Sequence, residues 1–273
     1  MNFNNKKIQQ LLFVTTFVTL FCYPASLFAQ ADETELAKQT QNPVGDLISV
    51  PFQNNIGFNY GPEDKVQNVL NIQPVVPFSL GENWNLITRT IMPVVYMPSL
   101  TPSGNSKSGL GDINLTAFIS PSNPTGLIWG AGPIFSIPSA IDNILGSGKW
   151  GIGPSAVVLA MKNQWVYGAI VNNVWSIAGD SERGNMNQML FQPFLNYNFS
   201  NGAYFSSGPI ITANWKAESG NQWTVPLGGG VGKIVKLGPL PLNLSAQAFY
   251  NVVTPDYGAN WTLRLQVQML FPK

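Results

Sequence analysis

The sequence predicts an all-β protein, an antiparallel transmembrane β-barrel of about twelve strands in the outer membrane of a Gram-negative cell. Three observations predict it. The N-terminus reads as an export signal, successive segments alternate apolar side chains with amides, and the connections between them alternate between short and long.

Composition favours the same class. Hydrophobic residues make up 45% of the 273 and charged residues only 10%, whereas soluble proteins carry about a quarter. A water-facing surface so poor in charge is hard to keep dispersed, and a lipid-facing one has no such need. The 26 glycines, 21 prolines and 12% aromatics suit many short strands and turns better than a helical bundle. No strongly basic patch points to nucleic acid.

The first element is the signal. Lys6 and Lys7 precede an apolar run from Leu11 to Phe21, and Ala29-Gln30-Ala31 offers a small-residue cleavage site. The run is shorter than the ~20 residues of a spanning helix, and Phe21 before Cys22 does not suit a lipoprotein signal. Residues 1–31 are therefore expected to be cleaved. Removal takes the chain's single cysteine, Cys22, and two of the 14 basic residues, which leaves 12 against 13 acidic ones. Residues 32–45 are polar and irregular, and are expected to form a flexible periplasmic lead-in. The barrel is expected over 46–273.

Strands are expected near 47–60, 66–79, 84–97, 109–120, 126–138, 149–161, 165–178, 186–199, 203–216, 223–236, 240–253 and 260–271. The last is the clearest. Leu263, Leu265, Val267, Met269 and Phe271 alternate with Thr262, Arg264, Gln266 and Gln268, which is strict period-two patterning. Within 188–199, Gln188, Gln192, Asn196 and Asn198 oppose Met189, Phe191, Leu195 and Tyr197. Within 242–252, Asn243, Ser245, Gln247 and Asn251 oppose Leu242, Leu244 and Tyr250. A soluble sandwich turns lysines and glutamates to water, while an amide-rich face suits a polar lumen. Tight links at Gly81-Glu82-Asn83, Lys162-Asn163-Gln164 and Asn201-Gly202 separate longer stretches at 98–108, 139–148 and 179–185. That is the asymmetry of periplasmic turns and outer loops. Trp84, Trp129, Trp150, Trp165, Tyr204, Trp215, Trp223 and Trp261 fall near strand ends, as aromatic girdles do.

Prolines at 74, 93, 133, 154, 193, 209 and 226 oppose this reading, because proline removes a ladder donor and a closed barrel has no edge. Bulges or interrupted pairing are expected there, and a kink or close approach at Gly228-Gly229-Gly230.

Several motifs carry a family resemblance over nearly the whole mature chain. They include Asn42-Pro43-Val44-Gly45-Asp46, Asn71-Ile72-Gln73-Pro74, Gly109-Leu110-Gly111-Asp112, Gly148-Lys149-Trp150-Gly151 and Trp223-Thr224-Val225-Pro226. Together they resemble the outer-membrane family named for the MetA pathway of phenol degradation, whose members are often labelled transporters or, misleadingly, "neuromedin U". The resemblance implies an outer-membrane barrel, a channel for hydrophobic or aromatic compounds, and it brings no catalytic residues.

The chain has no histidine, which removes a Ser-His-Asp site and His-bearing zinc motifs. No enzyme activity, cofactor or metal is expected. In-strand charge is the chemistry left. A lipid-facing Arg or Lys at midplane costs roughly 2–4 kcal/mol, so Arg89, Asp112, Lys216 and Arg264 are expected in the lumen, with Gln192, Gln266 and Gln268 beside them. Arg89 and Asp112, on neighbouring strands, are candidates to pair. The expected function is a passive pore for small molecules; the alternative is a closed structural or surface-interaction barrel filled by side chains. Expected partners are outer-membrane lipid, a small solute, and the barrel-assembly machinery through the strand ending at Phe271.

Overall fold

A computed structural model describes residues 33–101 and 104–271. The expected cleavage site lies outside them. One helix, α1 (Glu33–Thr40), is followed by fifteen antiparallel ladder segments: β1 (Ile48–Tyr60), β2 (Lys65–Ile72), β3 (Val75–Leu80), β4 (Trp84–Met97), β5 (Lys107–Leu110), β6 (Ile113–Pro121), β7 (Leu127–Ile137), β8 (Lys149–Lys162), β9 (Trp165–Gly179), β10 (Asn187–Asn198), β11 (Ala203–Ser207), β12 (Ile211–Asn214), β13 (Trp223–Leu237), β14 (Leu240–Val253) and β15 (Trp261–Phe271). Three strands are each broken once, giving β2/β3, β5/β6 and β11/β12. The fifteen segments therefore make twelve strands.

The sheet closes on itself. Each strand pairs with its neighbour in sequence, and β1 pairs with β15 from Ile48↔Phe271 to Phe58↔Trp261. Closure leaves no unpaired edge, the condition for spanning hydrocarbon with strands. Period-two alternation then sorts side chains. On β15, Arg264 and Gln268 are buried inside, while Trp261, Leu265 and Val267 are exposed outside. The outer surface is a broad apolar band that includes Leu195, Leu227, Val231, Leu244, Val252 and Leu265. So large an exposed apolar surface fits lipid rather than water. The chain is an outer-membrane β-barrel.

Aromatics mark both edges of that band. Trp84, Trp129, Trp165 and Phe205 lie toward the short-turn end, and Tyr96, Trp150, Trp175, Trp215 and Trp261 toward the long-loop end. Several meet edge to face, as in Trp84–Trp129 at 6.0 Å and Trp215–Trp223 at 5.2 Å. Tyr204 departs from the expectation. It is 4% exposed and points inward, with its hydroxyl donating to Asn243 Oδ1 at 2.7 Å.

The seven prolines expected to interrupt strands fall at ladder gaps. Pro74 lies in the β2/β3 break and Pro209 in the β11/β12 break, with Pro193 across from the latter. Pro93 faces the β5/β6 break, where its carbonyl accepts from the Gly111 amide at 2.8 Å. Pro133 sits where β6–β7 pairing lapses between Thr116↔Ile134 and Ile119↔Ala131. Pro154 sits where β8–β9 pairing lapses between Ile152↔Trp175 and Ser155↔Asn172. Pro226 adjoins a register shift on β13. At Pro93, Pro133, Pro154 and Pro193 the ladder on the strand's other side continues, as at Pro193↔Ala169, whereas at Pro74 and Pro209 the ladders on both sides lapse. Gly153 adjoins one gap. A Cβ there would collide with the Asn173 carbonyl, so the close approach of β8 and β9 needs glycine. The same holds for Gly230 against the Ala246 carbonyl.

The stretch expected to be a flexible lead-in is instead folded against the barrel. Glu33 and Glu35 in the first turn of α1 and Lys38 in the last complement the helix dipole. Leu36 (1% exposed) and Ala37 (0%) pack with Leu47, Tyr204, Ile234 and Leu270. A turn follows, with the Gly45 amide donating to the Asn42 carbonyl at 3.3 Å and the Val44 amide to Asn42 Oδ1 at 3.0 Å. It drives Val44 into Ile87, Phe118, Val157, Leu159, Val166 and Ile170, on the opposite wall. The segment thus bridges the barrel at its short-turn end, the periplasmic one.

Candidate functional site

The candidate site is the lumen, and residues 33–46, called the plug below, cross it at the short-turn end. Polar side chains at the inner ends of β10, β14 and β15 hold the plug. Gln41 Nε2 donates to Asn198 Oδ1 at 2.8 Å, and Asn198 Nδ2 donates back to Gln41 Oε1 at 3.0 Å. Asn243 Nδ2 donates to Thr40 Oγ1 at 3.1 Å and to Gln268 Oε1 at 3.0 Å, while its oxygen accepts from Tyr204. Asn198 is fully buried and Asn243 is 3% exposed. Buried amides are costly unless paired, so their complete pairing fixes where the plug sits.

Above the plug lies an inner chamber of ≈ 190 Å³, lined by Leu47, Gln53, Gln73, Arg89, Gln192, Gln247, Arg264, Gln266 and Gln268 among others. Beyond it, toward the long loops, lies a wider chamber of ≈ 640 Å³, whose walls include Asn71, Asn114, Asn172, Gln188 and Thr224. Gln53, Gln73, Arg89, Ile170 and Gln192 line both chambers. These five side chains form the waist between them.

Five of the seven sequence-predicted residues meet here. Arg89, Gln192, Arg264, Gln266 and Gln268 line the inner chamber. Arg89 Nη2 donates to Gln73 Oε1 at 2.7 Å. Arg264 donates from Nε to Asn55 Oδ1 at 3.2 Å, and from Nη1 to the Gly208 carbonyl at 2.9 Å and Gln247 Oε1 at 3.2 Å. Its guanidinium carbon sits 4.6 Å from the Phe249 ring centre. The Gly208 carbonyl is free to accept because the β11/β12 ladder is broken there.

Asp112 and Lys216 lie elsewhere. Asp112 falls in the β5/β6 break and does not pair with Arg89. It accepts from the Ser147 amide and hydroxyl, both at 2.6 Å, and from the Ala140 amide at 3.3 Å, so it pins the outer loop 138–148. Lys216 is exposed in the turn after β12, because that strand ends at Asn214. Gln53, Gln73, Gln247 and Asn243 were not among the candidates, although the polar face of the alternation already held Asn243 and Gln247. The alternation that placed Gln192 inside also places these inside, so the signal was present.

No family model matches the chain, and neither does any curated protein. Among solved structures, it is similar to an outer membrane channel from Pseudomonas putida F1. The TM-score is 0.64 at 18% identity, over 84% of this chain and 97% of that one. That likeness shows the fold. Outer membrane phospholipase A from Escherichia coli gives 0.43 at 12% identity, over 89% of this chain and 99% of that one. A mutant porin from Rh. blastica gives 0.30 at 9%, over 82% and 99%. At those scores the likeness carries no functional weight.

Proposed function

We propose that the protein is a passive outer-membrane channel for small molecules, closed toward the periplasm by its own N-terminal segment. The observation that carries this reading is the two-chambered polar lumen, with a plug seated across one end. A barrel filled by side chains for purely structural ends has no reason to keep a ≈ 640 Å³ chamber open beneath its loops. The plug is not a strand. Its hold on the barrel consists of side-chain contacts and a few hydrogen bonds, so its displacement leaves the twelve-strand ladder intact. It is thus a separable gate in a rigid wall.

Hydrophobic or aromatic solutes are the finer reading. Supporting it are the resemblance to the MetA-pathway family and the apolar side chains Ile91, Phe118, Ile134 and Leu190 in the outer chamber. The chain serves as a conduit rather than an enzyme, consistent with a sequence that has no histidine. Assembly through the last strand has support in Phe271, the aromatic end of β15, which registers with Ile48 to close the barrel.

Solute uptake by proteoliposomes of the purified full chain tests the proposal. Wild type is expected to admit small solutes slowly with a size cutoff, and Leu36→Asp, which expels α1, to admit them faster. A folded barrel that passes nothing in either form contradicts a channel and favours a closed structural barrel.

A further inference from the structure

The inner chamber holds two positive charges and no negative one. Among the described residues, Arg89 and Arg264 are the only charged ones that line it, and no acidic side chain lines the outer chamber either. Every acceptor that meets the two guanidiniums is a neutral amide or a carbonyl. The four ion pairs among the described residues all involve lysines. Arg264 is 7% exposed. A buried cation without a counter-charge is costly, typically several kcal/mol before hydrogen bonds offset it. Neutral dipoles offset part of that cost. An anion would offset the rest, received by guanidinium N–H groups in the two-pronged way that suits carboxylates.

The chamber also has a greasy wall, from Val75, Ile170 and Phe194. Its ≈ 190 Å³ exceeds the about 150 Å³ of a cavity that accepts benzene. Two guanidiniums and an apolar patch within one chamber match a molecule with one anionic head and a compact hydrocarbon body.

We propose that Arg89 and Arg264 form an anion-binding site in the inner chamber, and that it takes small organic monocarboxylates. This rests on the channel reading for its role in transport, though the binding site stands or falls on its own measurement. Anions would be drawn through the waist into the inner chamber by the two unopposed charges, and cations repelled.

Two measurements on the full chain test it. In the first, benzoate, neutral benzamide and chloride are titrated calorimetrically into detergent-solubilised protein. Benzoate is expected to bind, and benzamide and chloride to bind at least about tenfold more weakly. Arg89→Gln and Arg264→Gln are each expected to weaken benzoate by about tenfold or more, the worth of a charged hydrogen bond. Arg264→Lys keeps the charge and, in protein that shows the heat-modifiable shift of the folded barrel, is expected to retain part of the affinity. In the second, the reversal potential across a planar bilayer in a potassium chloride gradient is expected to show anion preference in wild type and less in Arg89→Gln. Benzamide or chloride binding as tightly as benzoate, or benzoate binding indifferent to both arginines, overturns the site. An unselective conductance without benzoate binding overturns it while leaving the channel standing. Arginine-dependent benzoate binding in a barrel that never conducts supports the site and contradicts the channel.

Discussion

Gln41 and Asn198 exchange two side-chain hydrogen bonds, at 2.8 and 3.0 Å, across 157 residues of sequence. One residue follows the helix of the plug and the other ends β10, so this pair is where the N-terminal segment is stitched to the barrel wall. A neutral hydrogen bond contributes about 1 kcal/mol net, and an amide left unpaired in a buried site costs about 1–3 kcal/mol. Asn198→Ala removes one partner and leaves the other near the periplasmic mouth, where water reaches it. It is expected to loosen the plug without unfolding the barrel. Protease cleavage within 33–46 should quicken, while the heat-modifiable gel shift of the folded barrel should persist. A plug as resistant as wild type contradicts the assignment.

Leu36 is the plug's apolar anchor, 1% exposed in a cluster with Tyr204, Ile234 and Leu270. Truncating a buried leucine costs about 2–5 kcal/mol, more than an eight-residue helix can supply by itself. Leu36→Ala is therefore expected to release α1 as a unit. Amide hydrogen exchange should show protection lost over 33–40 and kept in β14 and β15. Uniform loss across the barrel would show that the segment is part of the core rather than a gate.

Asp112 holds the outer loop 138–148 by three hydrogen bonds to the Ala140 amide and to Ser147. Bonds to a charged acceptor are each worth about 1.5–3 kcal/mol. Asp112→Ala is expected to destabilise the loop locally by about 2 kcal/mol or more, read as faster exchange at residues 140–147. Little change in the selectivity of the lumen is expected, because Asp112 does not face Arg89.

The same loop carries a pH dependence. The Asp142 carboxyl is held below its ordinary value of 3.8, first by the hydrogen bond from Lys107 and then by the Ile144 amide. A carboxyl depressed in the folded state contributes stability that is present above its unfolded value. That stability fades as pH falls through the lowered one. Exchange at residues 141–146, corrected for its intrinsic pH dependence, should therefore rise below pH 3.8, and Asp142→Asn should abolish that rise. The effect is expected to be small, since the pair is open to solvent and screened by salt.

Gly153 has no room for a side chain. Gly153→Val places carbon against the Asn173 carbonyl across a membrane-spanning ladder. It is expected to prevent assembly, seen as loss of the heat-modifiable band. Gly184→Ala, with nothing within 4 Å, is expected to leave assembly unchanged.

The strands were legible because two-sided solvation writes itself into sequence as period two. The expected bounds of 84–97 and 240–253 match β4 and β14 to the residue. The breaks were not legible as breaks. Gln73 and Val75 both face inward on either side of Pro74, so the pattern runs through the gap without a slip. For the same reason Asp112 read as an inward strand residue and Lys216 as the end of a longer strand. The plug was hidden for another reason. Eight residues give too few turns for periodicity, and only the Glu33, Glu35 and Lys38 charge order hinted at a helix.

The central claim is a channel gated by its own N-terminal segment, and planar-bilayer conductance of Gln41→Cys/Asn198→Cys tests it most directly. Cysteines at this pair break its hydrogen bonds and offer two thiols for a short bismaleimide bridge. The account predicts that conductance exceeds wild type before bridging and falls to or below wild type once the bridge forms. Conductance unaltered by a bridge that gel analysis shows to be complete would contradict it.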